Sequence, residues 1–135
     1  MANKKTNVLN ALVAQLENLS SIAKATRILL SPINARKWSP YAGLIAGPEE
    51  VIVEDLTHIR YELDVDVILL EKGRDIEKLL DKVKNLLYSS LLATTIGALQ
   101  IKIVGQEEVA LVDNDKFSST RIVMTITYVA VKGAF

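Results

Sequence analysis

The hydrophobic positions along this chain follow two periods. From Ile59 to Val67 the odd positions Ile59, Tyr61, Leu63, Val65 and Val67 are apolar, and the even positions Arg60, Glu62, Asp64 and Asp66 are charged. Strict alternation predicts a half-buried β-strand, and Ile68, Leu69 and Leu70 extend it. Asp and Glu are poor strand formers, so three carboxylates on one strand face need a reason. A second alternating run, residues 120–132, puts Ile122, Met124, Ile126, Tyr128 and Ala130 on one face. Its other face holds Arg121, Val123, Thr125, Thr127, Val129 and Val131. That face is too apolar for a fully wet sheet, so cover from a helix or another subunit is expected. Residues 98–104, ALQIKIV, predict a further strand, and 24–31 and 51–54 predict shorter ones.

Two segments follow the helical period instead. Over residues 6–23, Val8, Leu9, Leu12, Val13, Leu16, Leu19 and Ile22 form one apolar stripe, with Thr6 or Asn7 placed to cap it. Over residues 75–92, Ile76, Leu79, Leu80, Val83, Leu86, Leu87 and Leu91 do the same. Asp75 is the expected N-cap of that helix, and charges of alternating sign line its wet face. Between the first helix and the charged strand lies SPINARKWSPYAGLIAGPEE, with all three prolines and two of the six glycines. It predicts a long loop at about 31–50, and it carries the single Trp38 with Tyr41 behind it. Glu71, Lys72 and Gly73 read as a turn. Residues 105–119 read as a second loop, with a short strand at 109–112 as an option. The element order predicts an α+β fold: a mostly antiparallel sheet with two amphipathic helices packed on one face. The 135 residues form one domain.

Composition narrows the chemistry. Half the residues are hydrophobic but only 5% are aromatic, so the core is aliphatic. With no cysteine, disulfides, thiolate metal sites and thiol nucleophiles are excluded. No apolar run approaches the roughly 18 residues of a membrane span, and the basic start MANKKTNVLN has no leader pattern. The net charge is zero but segregated. Up to Pro48 six basic residues face one acidic; from Glu49 to Glu71 eight acidic residues face Arg60 alone. Such separation either steers partners, pairs subunits head to tail, or neutralises itself within one fold.

Catalytic signatures are missing. The only histidine is His58, at the entrance of a strand, and no GxSxG, P-loop or GxGxxG pattern occurs. Asp113, Asn114 and Asp115 resemble half of a calcium loop but lack its Gly and final Glu. Glu62, Asp64 and Asp66 invite comparison with a metal-dependent nuclease. Same-face neighbours on a strand sit about 7 Å apart, too far for three to share one ion unaided. No cofactor and no catalytic or metal site is expected. Specific nucleic-acid binding is not expected either, since a carboxylate row repels phosphate.

The helix VLNALVAQLENL, the loop WSPYAGLIAGPEEVIVE, the strand IRYELDVDVIL, the helix DIEKLLDKVKNLL and the closing VMTITYV together resemble the tail-terminator, or tail-completion, proteins of tailed bacteriophages. The similarity spans about Thr6 to Val131. It implies a non-enzymatic virion subunit, made in the host cytoplasm, that forms a ring, typically a homohexamer. The ring caps the head-proximal end of the tail tube, stops its polymerisation and meets the neck protein, while DNA passes through without specific binding. Membranes play no part. By position, Glu62, Asp64 and Asp66 become candidates for the lumen. Trp38, Tyr41, Val123, Thr125, Val129 and Phe135 become candidates for subunit or neck contacts. Another head–tail connector component, a stopper or adaptor, is the nearest alternative.

Overall fold

In a computed structural model the chain runs α1 (Lys4–Glu17), β1 (Lys24–Thr26), β2 (Tyr41–Glu54), β3 (His58–Lys72), α2 (Glu77–Tyr88), α3 (Ser90–Ile96), β4 (Gln100–Glu108) and β5 (Phe117–Val131). The structure describes residues 4–27, 40–72, 76–108 and 117–132. The five strands form one sheet in the order β1-β2-β3-β5-β4. Only the short β1–β2 pair is parallel. This is the α+β architecture that the two periods predict.

The two alternating runs pair with each other at the centre. β3 and β5 match residue for residue from His58↔Val131 to Lys72↔Phe117 with no bulge. Leu63, Val65, Val67 and Leu69 therefore share a face with Ile122, Met124, Ile126 and Tyr128, all buried. The helices lie on that face. Val8, Leu9, Leu12 and Leu16 of α1, Leu79, Leu80, Val83 and Leu87 of α2, and Leu92 and Ile96 of α3 join the sheet residues in one apolar core. Burying each such side chain is worth roughly 1.5–3 kcal/mol, which offsets the ordering of short helices that are marginal alone.

Several expectations change. Residues 41–50 are strand, not loop: β2 continues through Gly47 and Pro48 to Glu54. Its register with β3 slips between Ala46 and Glu49, so Pro48 sits in a bulge where its missing N–H is tolerated. Gly47 lets the strands close up there: a Cβ would sit 3.3 Å from the Asp64 Cβ, a tight contact. Residues 31–39 of the expected loop lie outside the described residues.

The expected helix over 75–92 is two helices. Ser89 takes an extended conformation (φ −61°, ψ 128°), ending α2, and its hydroxyl accepts the Leu91 N–H to start α3. Leu91 leaves the stripe and is 73% exposed. The N-cap of α2 is Ile76, without a side-chain cap bond, and Asp75 and Gly73 lie outside the described residues. Glu71 and Lys72 belong to β3 instead of a turn.

Helix α1 ends at Glu17 instead of near residue 23. Ser20 and Ser21, which compete for backbone hydrogen bonds, follow it. The Ser21 hydroxyl accepts a bond from Lys82 Nζ at 2.7 Å, tying this turn to α2. Residues 105–108 extend β4 and residues 117–119 begin β5; the option at 109–112 and the Asp113–Asp115 turn lie outside the described residues. Among the described residues no helix lies over the second face of β5, since α1, α2 and α3 pack on the other side. At one end of the sheet both faces are nonetheless buried, through Tyr41, Ile68 and Leu70.

Two substitutions probe this packing. Leu12→Ala, at a site with no exposure, should cost about 2–5 kcal/mol in denaturant unfolding. Gly97→Ala should cost roughly 1 kcal/mol, because Gly97 caps α3 in the left-handed region at φ 80°.

Candidate functional site

The alternation that fills the core also builds an open sheet face. Arg60, Glu62, Asp64 and Asp66 project there from β3, opposite Val129, Thr127, Thr125 and Val123 of β5. The sequence candidates Val123, Thr125 and Val129 are thus brought beside the acidic row, all half-buried. Asp66 is partly neutralised: Arg121 Nε lies 3.6 Å from its Oδ2, and Arg121 Nη1 lies 3.0 Å from Glu107 Oε1. This ladder crosses β3, β5 and β4, but its side chains are about a third or more exposed, and such pairs contribute at most about 1 kcal/mol. Asp64 is exposed and abuts Gly47. Glu62 stands directly opposite Glu50 of β2, so the row continues across a strand boundary.

Glu50 was hidden from sequence reasoning because it lies in a segment rich in Pro and Gly. The available signal was the β-branched run Val51-Ile52-Val53 directly after it. Like charges directly opposite on paired strands are destabilising, so Glu50 and Glu62 are set against each other at a local cost. Among the described residues no three His, Asp or Glu side chains gather closely enough to hold a metal ion.

The other candidates fall elsewhere. Tyr41 is 1% exposed and its hydroxyl bonds to Thr26 Oγ1, so it locks β1 to β2 and offers no contact surface. Trp38 and Phe135 lie outside the described residues. His58 is part of a turn. Asp55 Oδ1 accepts from the N–H groups of Thr57 (2.8 Å) and His58 (2.6 Å), and His58 Nδ1 bonds to Thr57 Oγ1 at 2.7 Å. Those backbone donors hold the Asp55 carboxyl below its ordinary value.

This turn tips an arm made by the β2–β3 hairpin beyond the bulge. Val51, Ile52 and Val53 are about half exposed and Leu56 is 94% exposed. At the arm's base Tyr61 packs on Tyr128 with ring centroids 5.5 Å apart. A second uncovered apolar region lies across the sheet, where a pocket of ≈ 200 Å³ opens between the α2–α3 junction and the start of β4. No helix among the described residues is long and apolar enough to cross a membrane.

Burial, then the negative charges of Glu49 and Glu54, raise the Tyr61 phenol above its ordinary value of 10.0. Below pH 10 the phenol is neutral in both folded and unfolded chains. Above it the unfolded chain ionises first, so the stability contributed by neutral Tyr61 is lost as pH rises through the folded value. Tyr61→Phe should therefore flatten the alkaline fall in melting temperature, measured against wild type from pH 9 upward. Compared with known proteins, the chain matches no family model and no curated protein.

Proposed function

We propose that this protein is a structural, ring-forming subunit of a phage tail, the terminator that caps the head-proximal end of the tail tube and joins it to the neck. The observation that carries the proposal is the open sheet face. Glu50, Glu62, Asp64 and Asp66 form an acidic row across two strands of a sheet whose other face packs against α1, α2 and α3. A merely solvated face has no need to set Glu50 against Glu62. A face lining a channel for DNA does, because fixed negative charge keeps phosphates from adhering. The threonines beside the row keep that face polar, and Arg60, Arg121 and Lys102 share it.

The unpaired outer edges of the sheet support the same proposal. Among the described residues β1 covers β2 at Tyr41–Gly43 alone, and β4 has no outer neighbour. Long bare edges invite pairing with another chain, and a ring closes them all.

Native mass spectrometry should find a closed homo-oligomer, alone or with the tail-tube subunit of its particle. Electron microscopy should place it at one end of the tube, with growth arrested there. Only monomers in the presence of tubes would sink the proposal. Replacing Glu62, Asp64 and Asp66 by Ser should leave the ring intact and slow DNA passage, read as delayed or incomplete ejection. If the ring fails instead, the row belongs to a subunit contact and not to a channel.

A further inference from the structure

The two uncovered apolar surfaces differ in shape and in charge. The arm projects from the sheet edge and carries Glu49, Glu50, Glu54 and Asp55 against Arg60 and Lys132, whose Nζ lies 3.7 Å from Glu54 Oε2. The pocket is concave, walled by Leu87, Tyr88, Ala93, Leu99 and Ile101, and Tyr88 and Leu99 are 66% and 55% exposed. Its surroundings are basic. Lys84 lies one helical turn before Tyr88, and Lys102 follows Ile101. Lys4 reaches the end of α3, where its Nζ would be 3.0 Å from a Cβ on Gly97. Among the described residues none of these three lysines forms an ion pair.

The sheet also sets the two surfaces level. Glu62 is opposite Glu50 on one side and Thr127 on the other, and Thr127 is opposite Gln100. The base of the arm and the mouth of the pocket therefore lie on one line across the sheet, one at each edge. Three successive antiparallel pairings separate β2 from β4, so the two edge strands run in opposite directions. A second copy, rotated about an axis along the strands and not slid, brings its β2 antiparallel to β4. That is the pairing used by every long strand of this sheet.

We propose that the β2–β3 arm of one copy docks along β4 and into the Tyr88–Leu99 pocket of a second copy, head to tail. This rests on the ring assignment above and names its subunit contact. Val51 shares the helix-side face with its partner Tyr61, so it arrives over Leu99 and Tyr88. Glu50, on the open face, arrives beside Lys102. Each copy uses its arm once and its pocket once. A contact of two unlike surfaces repeats until it closes into a ring. The acidic arm and the lysines around the pocket then serve recognition between copies, steering arm to pocket.

The absence of cysteine gives a clean background for the test. A chain with Val51→Cys and Leu99→Cys together, oxidised at the concentration where wild type is oligomeric, should give a ladder of covalent dimers, trimers and larger species up to the ring. Each single variant should give no ladder, and a mixture of the two singles should give a crosslinked heterodimer. Oligomers by native mass spectrometry without any ladder would place the contact elsewhere and leave the ring assignment standing. A wild type that stays monomeric even with tail tubes removes both. Independently, Val51→Glu and Tyr88→Glu should each weaken self-association at least about tenfold, with the far-UV dichroism of the folded chain unchanged because both sites are exposed. Mixed in equal amounts they retain one good arm and one good pocket, so heterodimers and nothing larger should form. Failure of the mixture to dimerise overturns a head-to-tail contact between unlike surfaces.

Discussion

The structure depends on the register between β3 and β5. Fifteen residues of each strand face each other without a bulge, from His58 and Val131 to Lys72 and Phe117. A slip of one residue would turn Glu62, Asp64 and Asp66, or Thr125 and Thr127, into the helical core. The cost of burying even one unpaired carboxylate exceeds what a surface hydrogen bond returns. The apolar alternation thus pins the register, and every other pairing is arranged around it. The flanking pairs β2–β3 and β4–β5 both carry bulges. Irregularity is confined to the strands that do not set the core.

From that register the division of labour between the two faces follows. The helix side is aliphatic and closed by three short helices, none of which needs to be stable alone. The other side is buried at one end, by Tyr41, Ile68 and Leu70, and elsewhere the Asp66–Arg121–Glu107 ladder ties three strands and a carboxylate row crosses a fourth. The hairpin runs on past the area that the helices cover. Its valines, Ile52 and Leu56 therefore stay exposed, although burying each such side chain is worth roughly 1.5–3 kcal/mol. On the far edge the break at Ser89 leaves Tyr88 and Leu91 outside the core and opens the pocket beside β4. One central ladder thus produces a protein with a closed core, an acidic face and two unlike edges.

Where sequence reasoning departs from the structure, a local signal was overruled by a neighbouring strand. Tyr41 to Glu50 has loop composition, yet β3 offers it a ladder, and Gly47 and Pro48 are absorbed as a bulge against Asp64. The stripe through Leu91 has helical period, but Ser89 is a better cap than a helix interior residue. The mixed face of β5, Val123, Thr125, Thr127 and Val129, is half-buried, and among the described residues α1, α2 and α3 all lie on the opposite side. Tyr41 looked like a loop contact and is a buried bolt between β1 and β2.

The sequence by itself determined the α+β class, the two long strands and their inward faces, and the apolar stripes of the helices. These depend on periods of 2 and 3.6, which a chain carries in its own order of residues. It also determined the carboxylate row on β3 and the separation of charge along the chain. Only the tertiary structure decided that Glu50 joins that row, that Asp66 meets Arg121, and that arm and pocket sit level on opposite edges. Those facts are set by which strand lies beside which, through pairings between residues distant in the chain, and no local period encodes them.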